Sequence, residues 1–258
     1  MKYFVDEHSI VRQIWGKGDT ILFIFGGAAA EFALNKAVDW LYFTGRLPSD
    51  PLGRLFSTVA YARWIVFSDI QSANKAIDKM RSIHAAVEAA RGATIPDWAY
   101  RDVLFMLIHY SIASFELLER KLSLEEKEEV FDVFYRVGAG MGLKDLPLTY
   151  KEWLLARESH LQNDLQKTGY TTDLFNQYHK HLGAFRYFLL IQGQKLVVPG
   201  RVKELLGLGS VSLIAPVLRL YKLSRLIRLD WFLKSAVLPK KYKAQIKDLD
   251  QVPLRKSA

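Results

Sequence analysis

Hydrophobic residues recur along this chain at intervals of three and four positions, which is the period of a helix buried on one side. No stretch alternates β-branched and polar residues between turns, as a half-buried strand would. The pattern predicts a first long helix over 19–44, a second over 52–67, a third that ends at Gly92, and a fourth over 97–120. We therefore expect an all-α protein.

Helix-start signals extend this pattern through the rest of the chain. Three residue pairs have the spacing of a capping box, in which two side chains satisfy free N–H groups of the first helical turn: Ser68 with Gln71, Ser123 with Glu126, and Thr149 with Glu152. Further helices are predicted over 172–192, 199–206 and 210–229, with a break or kink at Pro216. Because the connections are short and no linker or repeat interrupts the chain, we expect one multi-helix globular domain over 1–258.

Composition narrows the possible functions. The chain has no cysteine, which excludes disulfides and thiolate chemistry and leaves histidine and carboxylate as its strong metal ligands. Its formal net charge is +9, but the basic residues are scattered and no nucleic-acid recognition motif is evident. We therefore expect no nucleic-acid partner, and contact with an acidic membrane surface explains the charge at least as well.

The N-terminus has no features of a secretory signal, and the apolar stretches over 21–43 and 103–118 contain charged or titratable residues typical of core helices. We therefore expect a cytoplasmic protein, with peripheral membrane association as an alternative. A basic stripe could serve such contact or could be an ordinary solvated helix face; it consists of Arg219, Lys222, Arg225 and Arg228.

Two of the six histidines lie on apolar helix faces. His84 belongs to the inward stripe of the third helix, and His109 lies within the apolar part of the fourth. From residue type alone, such a histidine is more often a hydrogen-bonded core residue than a metal ligand. The other four occur in polar contexts, and we predict that they lie at the surface: His8, His160, His179 and His181.

The stretch DPLGRLFST (50–58) carries two further candidates. Arg54 and Thr58 are four residues apart and therefore share one helix face. Arg54 could form an interhelical salt bridge or offer a cation to an anionic ligand, and Thr58 could bond back to the preceding turn or face a cavity. The residues alone leave these alternatives open. No nucleophile elbow, phosphate-binding loop, zinc-binding HExxH or dinucleotide fingerprint is present, which removes several common enzyme classes.

The order of segments resembles the catalytic-domain family shared by latex clearing protein, a bacterial rubber oxygenase, and MpaB, an oxygenase of mycophenolic acid biosynthesis. The resemblance covers most of residues 50–208. It is carried by DPLGR followed by Thr58, IHAAV (83–87), LIHYSIAS (107–114), LSLEEKEEVFDVFYRVGAGMGL (122–143), LPLTYKEWL (146–154) and LVVPGRVKELLGL (196–208).

This resemblance implies a globin-like helical arrangement around a buried apolar pocket that holds haem b. It also implies the use of dioxygen to oxygenate or oxidatively cleave an apolar, isoprenoid-like small molecule. Arg54 and Thr58 match the family's arginine and threonine, and His84 is the first choice for the histidine that ligates iron on the proximal side. The lysine of latex clearing protein that would precede the threonine is replaced by Ser57, which puts distal ligation in question.

Two further residues carry roles implied by the resemblance. His109 matches another recurrent histidine, as a residue of the catalytic pocket or the second choice for the iron ligand. Arg201 is a candidate for a second cation beside the haem.

Functions from other classes remain as alternatives. A helical protein that binds a lipid or isoprenoid would use the same apolar pocket without a metal, and a membrane-surface protein would depend on the basic stripe. Non-haem iron could be bound by histidine and a carboxylate such as Glu116, although no two-histidine, one-carboxylate spacing stands out.

Overall fold

The computed structural model describes residues 2–45, 49–226 and 249. Within this part of the chain the regular structure is helical, and β-type pairing is limited to two isolated bridges. The all-α prediction is confirmed, whereas the globin-like arrangement stays a prediction. We number the helices in chain order as α1 (Ile10–Trp15), α2 (Gly18–Phe32), α3 (Asp39–Phe43), α4 (Pro51–Phe67), α5 (Ile70–Arg91), α6 (Asp97–Leu118), α7 (Leu124–Gly140), α8 (Tyr150–Asn163), α9 (Gly169–Val197), α10 (Gly200–Leu206) and α11 (Ala215–Leu226).

The predicted helix over 19–44 is wrong as one element, because α2 ends at Phe32 and the chain turns before α3. Asn35 holds this turn through its side chain: Oδ1 accepts from the backbone N–H of Ala37 at 2.8 Å, and Nδ2 donates to Asp102 Oδ2 at 2.8 Å. An asparagine side chain that bonds its own backbone offers the chain an alternative to helix. Here the hydrogen bond to Asp102, the buried partner on α6, stabilises the turn in place of a continuous helix.

Most helix ends follow their local signals. Asp50 caps α4 with Pro51 in the first turn, Gly92 ends α5 in the left-handed conformation at φ 67°, and the Ser123–Glu126 capping box is present. The capping box predicted at Ser68 is wrong, because Asp69 is the N-cap residue of α5.

The C-terminal helices differ in two respects from the prediction. Helix α9 runs from Gly169 to Val197 and is kinked at Gly183, whose φ of 75° and ψ of 163° suit glycine alone. Helix α11 begins at Ala215, so Pro216 lies in its first turn and does not interrupt a helix. The side chains of the basic stripe lie outside the described residues, except for that of Lys222.

Helices α2 and α6 pack against each other at the centre of the molecule. A Cβ atom at position 27 would come within 2.3 Å of the Tyr110 ring, so glycine is what allows this close approach. Helix α1 packs across both α2 and α6, and its fully buried Trp15 donates from Nε1 to Ser111 Oγ at 3.2 Å. The Gly27–Tyr110 contact therefore sets where the polar end of Tyr110 lies.

Candidate functional site

Arg54 on α4 and His84 on α5 form one group. His84 Nδ1 is buried and has no hydrogen-bond partner among the described residues. Burial first, and then the nearby positive charge of Arg54, lower the pKa of His84 below its ordinary value. The Tyr100 ring stands edge-on to the imidazole at 5.2 Å between centroids. The structure thus combines a neutral imidazole, a buried free nitrogen and a guanidinium.

The hydroxyl groups beside Arg54 bond within their own helix. Thr58 Oγ1 donates to the Arg54 carbonyl oxygen at 3.2 Å, and Ser57 Oγ donates to the same oxygen at 2.7 Å. Of the two alternatives for Thr58, this is the bond to the preceding turn. The side chain at position 57 is exposed.

His109 lies on α6 in a different electrostatic environment. Its Nε2 is buried without a hydrogen-bond partner in the described structure, and its ring meets Tyr110 edge-on at 4.9 Å between centroids. Burial, followed by the positive charge of Arg157, lowers the pKa of His109 to about 4. His109 is therefore a second neutral histidine with a free nitrogen.

Arg201 lies in the first turn of α10 and pairs with Glu204 at 2.9 Å, in a contact whose glutamate side chain is mostly exposed. Its Nε is buried and makes no hydrogen bond to any described residue. Glu116, the carboxylate considered for non-haem iron, pairs instead with Lys121 and Lys127 at 2.9 and 3.0 Å.

A buried polar cluster joins α2, α6 and α8, and its histidine corrects a prediction. His160 was expected at the surface but is only 2% exposed. Its Nε2 lies 2.8 Å from Glu31 Oε1, and Glu31 also accepts two hydrogen bonds from Arg157 and one from the Tyr110 hydroxyl at 2.8 Å. Four donors thus converge on one fully buried carboxylate.

The charges in this cluster stabilise one another. Burial by itself would raise the pKa of Glu31, but the charge and hydrogen bonds of Arg157, helped by His160, hold it well below its usual range. Burial by itself would lower the pKa of His160, but the facing carboxylates of Asp102 and Glu31 raise it to about 9. Glu31 is therefore an ionised group held by cationic and neutral donors.

Two further carboxylates lie on the other side of the His160 ring. Nδ1 is 2.7 Å from Asp102 Oδ1 and 3.6 Å from Asp164 Oδ2. The short approach to Asp102 lacks hydrogen-bond geometry, since Nδ1 makes no hydrogen bond to the described residues. Burial, followed by the charge of Asp102, raises the pKa of Asp164. The three side chains place one ligand atom each within 4.8 Å of one another.

The sequence contains a signal for this cluster that was missed. Arg157, His160 and Asp164 are spaced three and four apart, which places them on one face of α8. Glu31 and Asp102 occur within otherwise apolar helices and need buried partners. Two acids facing inward, together with an arginine and a histidine on one face of another helix, predict a buried polar contact.

The described part of the structure also contains a groove and a cavity at some distance in the fold from the α4 and α5 candidates. An open groove of about 630 Å³ lies between α3 and the start of α9 and is lined in part by Lys36, Tyr42 and Thr168. A smaller cavity of about 200 Å³ lies between α6, α9 and α11 and includes Lys222. Neither is lined by the candidates on α4 and α5 or by His109, so the convergence of those candidates on one apolar cavity stays a prediction.

The exposed histidines agree with prediction, since His8, His179 and His181 lie at the surface. Among the helices within 2–45 and 49–226, none has the length and hydropathy that a membrane crossing requires.

Comparison with known proteins gives one family. The family model described as ER-bound oxygenase mpaB/B'/Rubber oxygenase, catalytic domain, matches residues 13–229. No curated protein and no solved structure gives a significant match to the chain.

Proposed function

Because the chain belongs to the MpaB and rubber oxygenase catalytic-domain family, we propose that it is a haem b-dependent oxygenase that uses dioxygen on an apolar, isoprenoid-like substrate. The observation that carries this proposal is the buried, unpartnered Nδ1 of His84 beside Arg54. Iron in haem is bound by a neutral imidazole, and burial together with the Arg54 charge keeps this one neutral.

The chain's own residues fit such a group. His84 supplies the iron ligand, and Arg54 supplies a cation for the haem propionates while opposing protonation of His84. Arg201 is a candidate for the second propionate cation, and its buried, unpartnered Nε favours that role. Thr58 shapes the same face of α4, although its hydroxyl is bonded to the helix backbone.

His109 is the second choice for the iron ligand, because it too is neutral and carries a buried free nitrogen. It differs from His84 in that the charge of Arg157, and not that of Arg54, helps to lower its pKa. When bound, haem would supply the activation of dioxygen. The protein would hold the cofactor, orient an apolar substrate beside it and exclude water.

The ligand assignment is tested by replacing His84 and His109 separately with alanine and measuring the Soret absorbance of each purified variant. Loss of haem from His84→Ala, with haem retained by His109→Ala, supports the assignment. The exposed His181→Ala is the matched control and should keep the wild-type spectrum. Loss confined to His109→Ala would transfer the ligand role to His109.

We also propose that the protein acts in the cytoplasm and touches membrane surfaces peripherally. A run of exposed apolar side chains around the start of α11 supports the contact: Val211 (71% exposed), Leu213 (65%), Val217 (58%) and Leu220 (67%). Exposed apolar side chains near basic residues are typical of peripheral membrane contact. Sedimentation with acidic liposomes should be reduced by salt and by Leu213→Ser with Leu220→Ser, whereas equal sedimentation of this variant would contradict the proposal.

A further inference from the structure

We propose that Asp102, His160 and Asp164 form a binding site for a divalent first-row transition metal, separate from the haem group. Asp102 lies in α6, while His160 and Asp164 are four residues apart at the C-terminal end of α8. His160 Nδ1 and one carboxylate oxygen of each aspartate lie within 4.8 Å of one another. Metal bonds of about 2 Å to each atom require separations of this order, with small side-chain movements.

The histidine ring is oriented as a metal-binding histidine would be. Its Nε2 lies 2.8 Å from Glu31 Oε1, and its Nδ1 faces the two aspartates. Because the pKa of His160 is about 9, Nδ1 carries a proton at neutral pH, and a metal would displace that proton while the proton on Nε2 stays beside Glu31. Nδ1 is buried and makes no hydrogen bond in the described structure. Metal-binding histidines typically donate their other ring N–H to a carboxylate, which fixes the tautomer and strengthens the ligand.

The charges also favour a cation here. Arg157 already neutralises Glu31 through two hydrogen bonds, so Glu31 does not compete for the metal. Asn35 donates a hydrogen bond to Asp102 Oδ2, which leaves Asp102 Oδ1 facing the imidazole. A single proton on Nδ1 can satisfy only one of the two facing carboxylates, whereas a divalent cation can bind both.

Backbone hydrogen bonds hold Asp164 in place before any ligand arrives. Asp164 caps the end of α8, and its N–H donates to the His160 carbonyl oxygen at 2.9 Å. Its own carbonyl oxygen accepts from the Lys36 N–H at 3.0 Å, which joins the end of α8 to the turn after α2. The negative end of the α8 dipole adds to the attraction for a cation.

One side of the site is open to solvent. The Asp164 side chain is 29% exposed, while those of Asp102 and His160 are 3% and 2% exposed. A cation could therefore enter past Asp164 and keep water as its remaining ligands. One imidazole nitrogen and two carboxylate oxygens suit Mn²⁺, Fe²⁺ or Zn²⁺ better than Mg²⁺ or Ca²⁺, which prefer oxygen alone.

The metal-free full-length protein is titrated with Mn²⁺, and binding is measured as loss of the electron paramagnetic resonance signal of the free ion. A parallel calorimetric titration uses Zn²⁺. We expect one site per chain. Asp164→Asn should weaken binding by at least about tenfold, because it removes the exposed charged ligand and leaves the Glu31–Arg157 contact intact. Glu158→Gln, an exposed carboxylate change on the same helix, is the control and should bind as the wild type does.

A second variant separates loss of the site from loss of fold. His160→Gln should abolish Mn²⁺ binding while circular dichroism shows its helix content retained. If His160→Gln does not fold, Asp164→Asn decides alone. Failure of the wild type to bind either ion at millimolar concentration, or equal affinity of the wild type and Asp164→Asn, would overturn the proposal. None of these readouts depends on haem.

Discussion

Replacing Glu31 with glutamine should destabilise the fold by about 3–5 kcal/mol, the cost of leaving a buried charge without its partner. Arg157 is 4% exposed as a residue and directs two hydrogen bonds at the Glu31 carboxylate. Tyr110 and His160 make further contacts with the same group. Glutamine offers one acceptor oxygen where the carboxylate offers two, so at least one buried donor loses its acceptor.

The assay is urea unfolding followed by circular dichroism at neutral pH, with the free energy of unfolding compared between variants. Asp78→Asn is the control. Asp78 and Arg81 also form an ion pair, with 2.9 Å between Oδ1 and the guanidinium nitrogen, but their side chains are 61% and 59% exposed. Removing an exposed pair of this kind should cost less than about 1 kcal/mol. The Glu31→Leu, Arg157→Met double variant should be more stable than Glu31→Leu alone, because it removes the buried charge as well as its partner.

A free energy of unfolding for Glu31→Gln within about 1 kcal/mol of the wild-type value would contradict this expectation. That result would mean that Arg157 reaches water or another anion once Glu31 is neutral. A double variant no more stable than Glu31→Leu alone would likewise contradict an energetic coupling of the two side chains.

Two further predictions concern packing and pH. Gly27→Ala should lower the free energy of unfolding by about 1–3 kcal/mol, because its Cβ would meet the Tyr110 ring. Gly26→Ala, whose Cβ would be 3.6 Å from Leu190, is the control and should be neutral or stabilising. Thermal unfolding compares the two variants, and equal effects would contradict the close packing of α2 on α6. The hydrogen bond from Arg120 lowers the Glu126 pKa from 4.5 to about 2, so this exposed pair stabilises the fold above pH 4.5 and loses that contribution as the pH falls towards 2. The stability difference between wild type and Glu126→Gln should shrink over that interval in acid titrations, and a constant difference would contradict it.

Helix boundaries set by neighbouring residues could be predicted from the sequence. Pro51, Gly92 and Ser123 act through the conformation or hydrogen bonding of their own turn, and the helices begin or end where these residues indicate. The break after Phe32 was not predicted, because the side chain that fixes it, Asn35, bonds to a residue on α6 far along the chain. The residues near Asn35 in the sequence do not reveal such a distant partner.

The candidate site shows the same difference between features set by neighbouring residues and features set by residues far along the chain. His84 was placed on an inward apolar stripe, but the residue is only half-buried, and its pKa is lowered by burial and by Arg54 on the neighbouring helix. The roles of His84 and Arg54 towards a cofactor stay predictions. His160 was assigned to the surface because its neighbours in sequence are polar, yet its partners in space are Glu31 and Asp102. Burial of a histidine depends on charges brought by other helices, which a local pattern does not report.

The central claim, that this chain holds haem b, is tested most directly by the visible spectrum of the purified wild-type protein. Expression with sufficient haem, or reconstitution afterwards, should give a Soret band and one haem b per chain by pyridine haemochrome assay. Reduction followed by exposure to dioxygen should then change the spectrum. A folded wild-type protein that shows no Soret band after reconstitution would contradict the claim.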